Sequence, residues 1–463
     1  MSRFDEELSA LSGRRVAVLG MGISNRPLLH LLMRAGARIT VRDKQSREKL
    51  DPTLCAELVL SGAAFRCGED YLEDLCEEVI FRSPGIMASH PALRAAAEGG
   101  ARITSEMELF FETCPCPIIG ITGSDGKSTT TTLVAEMLRA AGHRVHLGGN
   151  IGHPLLSDVP DIAPTDFAVV ELSSFQLMSM TRSPAVSIIT NITPNHLDKH
   201  RDMAEYVEAK REIFRHQDSS GLVVLNADND LTAASALLAP GRVRLFSRGG
   251  NTSVGVILRD SVITLCEGEK ELPLISTADI LLPGLHNVEN YMAAAAAVAE
   301  FVPPEAMRRV AKSFAGVPHR LELVAEIDGV RYYNSSIDSS PTRTAAALSC
   351  FDRPVIVLAG GADKGIPLEP LGPLFREKAK GCILVGHTAE RIRNAVCNSP
   401  DYDADRLPVR IEENMEAAVA AARSLAVPGD IVILSPGCTS FDLYANFEER
   451  GERFRAAVRA MLS

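Results

Sequence analysis

The stretch "GITGSDGKSTTTT", residues 120–132, follows the apolar pair Ile118 and Ile119 and has the composition of a loop that grips phosphate groups. Its glycine spacing is G-x-x-G-K-S-T, shorter than the common G-x-x-x-x-G-K-[ST] loop, because Ile121 and not glycine stands five positions before Gly126. The shortening leaves the physics intact, since glycines let backbone N–H groups converge on phosphate oxygens and the N-terminus of a following helix favours negative charge. A strand, a phosphate loop and a helix in succession predict an α/β fold built on a largely parallel sheet.

Two side chains of this loop indicate nucleotide chemistry. Lys127 would neutralise the β- and γ-phosphates of a triphosphate, and the Ser128 hydroxyl would ligate Mg²⁺. The alternative, an ordinary strand–turn–helix corner, is disfavoured because Gly-Lys-Ser-Thr follows a strand and opens a helix. The predicted ATP contacts of the loop are Gly123, Ser124, Asp125, Gly126, Lys127, Ser128 and Thr129.

Three residues outside the loop are candidates for a metal site. Glu171 ends the apolar strand in "DFAVVELSSFQL", where loops form the site in open α/β sheets, although an ordinary exposed carboxylate is the alternative. His196 follows another strand end in "NITPNHLDKH"; a lone histidine is usually structural, but Glu171 and Ser128 on neighbouring strand ends favour a metal ligand. Lys210 has apolar helical neighbours in "AEYVEAKREIF", so it must snorkel, find an anion or lose its positive charge.

Length and composition indicate a soluble multidomain enzyme. The 463 residues predict about three domains, and 46% hydrophobic with 23% charged residues is typical of a globular enzyme. The formal net charge of −11 argues against a general nucleic-acid or membrane-surface binder. The N-terminus lacks the apolar core of a signal peptide, and no apolar stretch reaches the roughly 18–20 residues of a membrane span. We therefore expect a cytoplasmic protein with no nucleic-acid or membrane partner.

The ten cysteines are scattered along the chain. "CPC", with Cys114 and Cys116, is the one close pair, and it lacks the C-x-x-C spacing of zinc or redox sites. This pattern favours reduced core thiols over a metal or disulfide role.

Three regions of alternating strands and helices follow one another. The βαβ unit that begins "RRVAVLGMGISN" predicts an N-terminal Rossmann-like domain over residues 1–113. The phosphate loop and the strands after it predict a central P-loop ATPase-type parallel sheet over residues 114–314. Beyond the linker "AGVPHR", the apolar strands "PVIVLAGG", "GCILVGH" and "GDIVILSPG" predict a C-terminal Rossmann-like domain over residues 315–463.

The first glycine turn, "GMGISN" at residues 20–25, is a weak dinucleotide fingerprint. Asn25 replaces its third glycine, and Asp43 lies about where a ribose-binding acid would be, so a redox-cofactor site is one interpretation. The stretches "RSPGI" (82–86) and "GGNIG" (148–152) are satisfied by turn chemistry alone, for which Pro and Gly suffice.

Five motifs, taken in order, resemble the Mur ligase family of ATP-dependent amide-forming enzymes: "GITGSDGKST", "ELSSFQL", "NITPNHLDKH", "LPGLHNVEN" and "GVPHR". The resemblance covers essentially the whole chain. "ELSSFQL" and "LSPGCTSFDLYANFEERGERF" (434–454) are most similar to the members that add D-glutamate to UDP-N-acetylmuramoyl-L-alanine in peptidoglycan precursor synthesis. The resemblance implies a UDP-binding N-terminal domain, a central ATP domain and a mobile C-terminal domain that brings the amino acid, and we expect a monomer.

For the ATP end, the resemblance implies roles for the residues already singled out. Lys127 and Ser128 would serve ATP and one Mg²⁺, Glu171 would be a metal ligand, and His196 would bind a second Mg²⁺. Lys210 matches a lysine that the family carbamylates, so that CO₂ converts the ammonium into an anion that orients a metal. The catalytic set is then Lys127, His196 and Lys210. The further matches, to adenine and phosphate contacts, are Asn287, Asn290 and Arg320.

The resemblance also assigns the other two substrates. The loop at 20–25 would hold the UDP diphosphate, with Asp43 near the uracil. The D-glutamate carboxylates would meet Lys364, Ser440 and Phe447, although Lys364 alone is also compatible with a solvated loop lysine. The implied precursor contacts are Gly22, Ser24, Asp43, Ser83, Asn150 and Ser173.

One stretch departs from the family pattern. Many members carry "NDSKATN", whereas this chain has "NSSIDSSPT" at 334–342. Ser335 replaces the acid that meets the ATP ribose, Ile337 replaces a lysine, and Ser339 replaces a threonine on the glutamate side. Asp338 is the candidate that would offset the missing acid.

The chemistry that the motifs predict is carboxylate activation by ATP. The L-alanine carboxylate would attack the γ-phosphate, and the D-glutamate amine would then attack the acyl phosphate, with no covalent enzyme intermediate. A sister ligase with another amino acid, or one that extends folate, is an alternative. The UDP-type domain disfavours folate, and the chain lacks the D-N-P-R stretch of diaminopimelate- or lysine-adding relatives. An ATP-sensing switch is a further alternative, which a second metal site disfavours.

Overall fold

The computed structural model describes residues 2–195, 199–250, 252, 254–363, 365–400 and 402–462. Within these residues the chain forms two compact units. The first comprises residues up to 279 together with 288–312, and the second comprises residues 280–287 and 313 onward.

The N-terminal part of the first unit is a parallel sheet with helices around it. Its five described strands lie in the order β3-β2-β1-β4-β5. β1 is therefore the middle strand, with β2 and β3 on one side and β4 and β5 on the other. Its strands are β1 (Arg15–Leu19), β2 (Arg38–Asp43), β3 (Ala64–Cys67), β4 (Val79–Arg82) and β5 (Arg102–Thr104). Its helices are α1 (Arg3–Ser9), α2 (Asn25–Ala35), α3 (Pro52–Leu60), α4 (Pro91–Glu98) and α5 (Glu106–Thr113).

The central sheet has nine strands in the described part of the chain, in the order β14-β13-β12-β11-β10-β9-β6-β8-β7. The seven strands from β12 to β7 in this order run parallel, while β13, which pairs antiparallel with both β12 and β14, gives the sheet an antiparallel edge. The strands are β6 (Ile118–Thr122), β7 (Val145–Gly149), β8 (Phe167–Glu171), β9 (Val186–Ile189), β10 (Leu222–Asn226), β11 (Arg242–Ser247), β12 (Val254–Arg259), β13 (Val262–Glu267) and β14 (Lys270–Ser276). The helices are α6 (Lys127–Ala140), α7 (Ser174–Leu177), α8 (Met203–Arg215), α9 (Asp230–Ser235), α10 (Leu285–Val298) and α11 (Pro304–Ser313).

The second unit contains a third sheet, whose six described strands lie in the order β15-β16-β20-β17-β18-β19. Only the β15–β16 pair among them is antiparallel. The strands are β15 (Glu322–Ile327), β16 (Val330–Asn334), β17 (Val355–Ala359), β18 (Ala379–Val385), β19 (Val409–Glu412) and β20 (Ile431–Leu434). The helices are α12 (Pro341–Leu348), α13 (Leu371–Lys378), α14 (Ala389–Cys397), α15 (Met415–Leu425) and α16 (Phe447–Arg459).

The central strands are buried on both faces. Every residue of β6, β8, β9 and β10 is buried, which explains why these strands are continuous apolar runs without polar alternation. The helix α6 packs Leu133, Val134, Met137 and Leu138 against the sheet. This packing fixes the height of the turn between β6 and α6, and so positions the phosphate loop.

Candidate active site

The phosphate loop lies between β6 and α6, at the carboxyl end of the parallel strands of the central sheet. Gly123 and Gly126 have φ angles of +151° and +77°, which glycine adopts without strain. A Cβ atom on Gly123 would collide with Thr190 Oγ1, and one on Gly126 would collide with Asn290 Oδ1. Both positions therefore require glycine for conformation and for space.

The end of the neighbouring strand β9 holds the loop in place. Thr190 Oγ1 donates a hydrogen bond to the Asp125 carbonyl (2.6 Å), and Asn191 Nδ2 donates to the same oxygen (3.2 Å). Asn191 Oδ1 accepts from the Asp125 N–H (2.9 Å). The side chain of Asn191 therefore bonds both the N–H and the carbonyl of Asp125. Sequence reasoning missed Thr190 and Asn191; the signal was their place directly after the strand that pairs with β6.

Ser124 braces the loop from inside the protein. Its buried hydroxyl donates to the Thr193 carbonyl (2.9 Å), accepts from the Thr193 N–H (2.9 Å) and lies 3.0 Å from the Tyr206 hydroxyl. Its own N–H donates to the Asn191 carbonyl (2.9 Å). Ser124 thus holds the loop shape through both its backbone and its side chain. Asp125 is exposed and Thr129 half-buried, as expected of residues that face the ligand side of the loop.

Two lysines meet at one carbonyl oxygen of the loop. Lys127 Nζ donates to the Gly123 carbonyl (3.0 Å) and to the Ser124 carbonyl (2.8 Å), and Lys210 Nζ donates to the same Gly123 carbonyl (2.7 Å). Lys210 is 1% exposed and its ammonium lies over the Tyr206 ring, 4.5 Å from the centroid. Burial holds the pKa of Lys210 well below its usual value, and the nearby charge of Lys127 lowers it further. The snorkelling alternative is wrong, because the amine of Lys210 is buried beside the loop.

Glu171 lies at the end of β8, the strand on the other side of β6. Its Oε1 accepts from Asn150 Nδ2 (2.8 Å), and the Asn150 N–H donates to the Glu171 carbonyl (2.9 Å). The side chain is 1% exposed, and Oε2 has no hydrogen-bond partner among the described residues. The expectation of an exposed strand-end carboxylate, weighed as the alternative above, is therefore wrong, because the strand end is covered. A buried carboxylate oxygen of this kind is costly unless a cation or a donor meets it.

The N-terminal sheet brings a second group of predicted residues to one edge. The Met21 N–H donates to Asp43 Oδ2 and the Gln45 N–H to Asp43 Oδ1, both at 2.8 Å. Gly20 has φ +88°, and a Cβ there would lie 3.0 Å from Ser83 Oγ. Asp43 thus braces the glycine turn through Oδ2 and the chain just after β2 through Oδ1. The predicted precursor contacts that gather at the carboxyl ends of β1, β2 and β4 are Gly22, Ser24, Asp43 and Ser83.

Arg82 joins this edge to the central sheet within the first unit, and sequence reasoning missed it. Its guanidinium donates to the Phe175 carbonyl (2.7 Å), to Ser179 Oγ (3.1 Å from Nε) and to the Ile86 carbonyl (2.9 Å). Burial lowers the pKa of Arg82 to about 10. Beside Arg82 is a cleft of about 280 Å³ whose walls include Ser24, Asn25, Glu106 and Gln176.

Ser173, another predicted precursor contact, caps the short helix α7. Its hydroxyl accepts from the Gln176 N–H (3.3 Å), and its own N–H donates to Gln176 Oε1 (2.9 Å), a reciprocal capping box. Asn150 and Ser173 lie at the ends of the adjacent strands β7 and β8, so the structure brings them to the same sheet edge as the phosphate loop.

The remaining predicted residues are distributed as follows. Asn290 packs against the loop, and its Oδ1 accepts from Thr130 Oγ1 (3.3 Å). In the second unit, Asn287 Nδ2 donates to the Pro283 carbonyl (2.6 Å), Ser440 is buried after β20, and Phe447 opens α16. His196 and Lys364 lie outside the described residues, so their placement stays a prediction.

The sequence matches three family models in succession: the MurD-like N-terminal domain of Mur ligases at residues 14–105, the Mur ligase middle domain at 121–298, and the Mur ligase glutamate ligase domain at 319–438. A protein of Acetivibrio thermocellus named UDP-N-acetylmuramoylalanine–D-glutamate ligase is 47% identical over 97% of this chain and 97% of its own.

The chain belongs to the Mur ligase family. A protein of the same name from Clostridium novyi is 45% identical over 98% of both chains. The crystal structure of a UDP-N-acetylmuramate–alanine ligase from Thermotoga maritima, with a TM-score of 0.55 and 16% identity, covers 97% of this chain and 100% of its own. That likeness concerns the fold, and it confirms the three-domain α/β architecture that the sequence predicts.

Members of the Mur ligase family are ATP-dependent amide ligases that use Mg²⁺. The residues present fit such an ion, since Glu171 has a buried oxygen that no donor in the described part of the chain meets, and Ser128, 2% exposed, lies in the first turn of α6 at the loop. Among the described side chains, no group of three or more His, Cys, Asp and Glu is placed to hold a metal. The donors on this side are thus one carboxylate, one hydroxyl and the amine of Lys210. No helix in the described part of the chain is long and apolar enough to cross a bilayer.

The stretch at 334–342, where the chain departs from other Mur ligases, packs into the second unit. Ser335 is buried, and its hydroxyl accepts from the Leu321 N–H (3.3 Å). Asp338 points inward, with Oδ2 accepting from Ser435 Oγ (2.8 Å). Burial raises the pKa of Asp338 to about 6, while the positive charge of Arg320 opposes the shift. Asp338 is therefore a buried partner of Ser435, and whether it offsets the missing ribose acid stays a prediction.

Proposed function

We propose that this chain joins D-glutamate to UDP-N-acetylmuramoyl-L-alanine, with ATP converted to ADP and phosphate. The observation that carries the proposal is the convergence of Lys127 and Lys210 on the Gly123 carbonyl, beside Glu171, whose Oε2 has no hydrogen-bond partner among the described residues. The Lys127 ammonium at a glycine loop is complementary to a triphosphate, and a buried carboxylate oxygen is complementary to a divalent metal. The names of the relatives at 45–47% identity over nearly the whole chain support the choice of amino acid and precursor.

The first step activates a carboxylate. An oxygen of the L-alanine carboxylate attacks the γ-phosphorus, the bond from that phosphorus to its bridging oxygen breaks, and ADP leaves. Lys127 would turn from the Gly123 and Ser124 carbonyls to the phosphates, because a charged phosphate oxygen is a stronger acceptor than a carbonyl oxygen. Mg²⁺ supplies charge neutralisation on the phosphates when it is bound.

The second step forms the amide. The D-glutamate amine, after losing a proton, attacks the carbonyl carbon of the acyl phosphate, the carbon–oxygen bond to phosphate breaks, and inorganic phosphate leaves. The amide nitrogen releases its second proton. The protein contributes position and charge in both steps, and no side chain forms a covalent bond to substrate.

The metal ligands in this proposal are Ser128, Glu171, His196 and a carbamate on Lys210, serving two Mg²⁺ ions. The amine of Lys210 is a good candidate for the reaction with CO₂, because burial and Lys127 favour its neutral, nucleophilic form. The neutral amine adds CO₂ at its nitrogen and releases one proton, so the product is an anion. A carbamate at Lys210 would be attracted to the Lys127 ammonium, which repels a protonated amine at the same carbonyl.

The substrates would occupy the edges already described. The precursor would bind across the strand ends of the N-terminal and central sheets, through Gly22, Ser24, Asp43, Ser83, Asn150 and Ser173. ATP would contact residues 123–129 with Asn287, Asn290 and Arg320, and D-glutamate would contact Lys364, Ser440 and Phe447. We infer domains at 1–113, 114–314 and 315–463, a monomer, and a cytoplasmic location where ATP is supplied.

Replacing Lys127 tests this assignment. We expect Lys127→Ala to lower phosphate release with ATP, precursor and D-glutamate by at least about 100-fold, the scale for loss of a donor that stabilises transition-state charge. The matched control is Lys312→Ala, which removes an exposed lysine of α11 in the same unit and should leave the rate unchanged. Near-normal turnover of Lys127→Ala would contradict the role proposed for the loop.

The carbamate on Lys210 has its own test. Protein equilibrated with ¹³C-labelled bicarbonate should show a carbamate carbon signal in the NMR spectrum, and Lys210→Ala should lack that signal. A spectrum of the unaltered protein without the signal, at a bicarbonate concentration that supports full activity, would rule the carbamate out and leave the ligase reaction itself untouched.

A further inference from the structure

The sequence interval between the first and central sheets holds two thiols that the structure brings into contact. Cys114 follows the last residue of α5, and Cys116 lies shortly before β6. Their Sγ atoms are 3.6 Å apart and share a hydrogen bond. The C-x-C spacing alone did not predict this contact, because it depends on the conformation of the backbone between them.

The backbone conformation explains the approach. Cys114 has φ −63° and ψ +123°, close to polyproline II, and Pro115 fixes its own φ near −65°. Polyproline II advances about 3.1 Å per residue, so residues two positions apart along it have Cα atoms about 6.2 Å apart. That separation lies inside the range of about 4.4–6.8 Å that a disulfide spans.

The two thiols differ in exposure, which gives them different roles in exchange. Cys114 is partly exposed, whereas Cys116 is 6% exposed and belongs to the core of the first unit. The hydrogen bond from Cys116 lowers the pKa of Cys114, while the same hydrogen bond and then burial raise the pKa of Cys116. The more accessible Cys114, whose thiolate is stabilised, suits the attacking thiol. The buried Cys116, which contacts it, suits the resolving thiol.

A metal is a poorer occupant of this pair. Tetrahedral zinc takes four ligands, and no group of three or more His, Cys, Asp and Glu side chains gathers anywhere in the described chain. A pair of sulfur atoms without further ligands is instead suited to forming a disulfide.

We propose that Cys114 and Cys116 form a reversible disulfide by exchange with a small-molecule disulfide, which makes residues 114–116 a redox modification site. The Cys114 thiolate attacks one sulfur of the small disulfide, forming a mixed disulfide and releasing one thiolate. The Cys116 thiolate then attacks Cys114 Sγ and releases the second. Two protein thiols are oxidised, and one small disulfide is reduced to two thiols. The sulfur atoms must close from 3.6 Å to about 2.05 Å, which side-chain rotation can supply.

The sequence offers a clean readout. Trypsin cuts after Arg102 and Lys127, so the peptide 103–127 carries Cys114 and Cys116 and no other cysteine. The reduced full-length protein is equilibrated without oxygen in buffers of defined ratio of reduced to oxidised glutathione, quenched with acid, alkylated and digested. We expect this peptide to lose two hydrogens and to take no alkyl group under oxidising ratios, and to recover both alkyl groups after reduction.

Exposed Cys76 in the same unit serves as an internal reference, since it has the access for a mixed disulfide. Cys116→Ser should trap glutathione on Cys114, whereas Cys76→Ser should leave the result for peptide 103–127 unchanged. If the peptide still takes two alkyl groups at ratios that already modify Cys76, the proposal is wrong. A stable glutathione adduct on Cys114 in the unaltered chain, or a link between two chains, would equally overturn it.

Discussion

At the scale of single residues, the site contains buried polar groups that a ligand would stabilise. Lys210 is buried with its amine on the Gly123 carbonyl, and Glu171 keeps one oxygen without a donor among the described residues. Each of these two groups is less stable in the ligand-free protein than it would be with a triphosphate and a metal at the loop. The arrangement therefore stores affinity for ligands at the expense of the stability of the ligand-free protein.

Other predicted site residues are engaged inside the protein. Asp43, Ser124 and Ser173 give their side-chain oxygens to nearby backbone or side-chain groups. The sequence identified these positions because the residue types suit ligand binding. It did not reveal their bonding, since hydrogen bonds to local backbone depend on the exact turn geometry that only the folded chain defines.

Glu106 gives a prediction about stability and pH. It is 4% exposed in the wall of the cleft beside Arg82, its Oε1 lacks a hydrogen-bond partner among the described residues, and burial raises its pKa to about 7. Because the pKa is higher in the folded state, the folded state gains protons relative to the unfolded state between about pH 4.5 and 7. Stability from this group is present below that window and is lost as the pH rises through 7.

We expect Glu106→Gln, which has no charge to bury, to raise the free energy of unfolding at pH 8 by up to about 3 kcal/mol. The gain should vanish below about pH 4.5, where the native carboxyl is neutral in both states. Urea unfolding at a series of pH values measures it, with the exposed Glu98→Gln as the control that should change stability by less than about 0.5 kcal/mol. A gain that is independent of pH would contradict this explanation.

At the scale of elements, the phosphate loop shows what local pattern can and cannot predict. The pattern placed the strand, the loop and the helix correctly, because continuous apolar runs and glycine turns are local signals. α6 begins at Lys127, directly after Gly126, which is in the left-handed region. The antiparallel edge was not predicted, because the turn between β12 and β13 uses Asp260 and Ser261 at positive φ without any glycine.

The two ends of α6 allow a matched test of the loop. Gly126 precedes the helix and packs against Asn290, whereas Gly142 follows it with φ +95° and open space around its Cβ position. We expect Gly142→Ala to cost about 1–2 kcal/mol of unfolding free energy from backbone strain and to leave ADP affinity unchanged. Gly126→Ala should carry the same strain and also displace Asn290 at the loop.

Calorimetric titration with ADP and Mg²⁺ measures the difference. Gly126→Ala should weaken binding by at least about 10-fold relative to Gly142→Ala, which corresponds to about 1.4 kcal/mol. Equal affinities in the two folded variants would mean that this loop does not hold the nucleotide.

At the scale of the whole molecule, the three-domain α/β architecture could be predicted, while the packing within each unit could not. A hydrophobic core of the first unit includes Val18 and Phe110 from the N-terminal region together with Leu156 and Leu172 from the central region. Contacts such as Arg82 to Ser179, and Cys114 to Cys116, join residues whose proximity no periodicity encodes. Composition and the order of the motifs were enough to predict the family and its reaction. The contacts that support the site could be seen only in the folded structure.

The proposed mechanism requires that ATP phosphorylates the carboxylate of the precursor. The most direct measurement uses UDP-N-acetylmuramoyl-L-alanine with ¹⁸O in both carboxylate oxygens, together with ATP, Mg²⁺, D-glutamate and the unaltered protein. The account predicts that each molecule of inorganic phosphate released carries one ¹⁸O atom, and that amide product forms in equal amount. Amide product accompanied by phosphate without the label would contradict it.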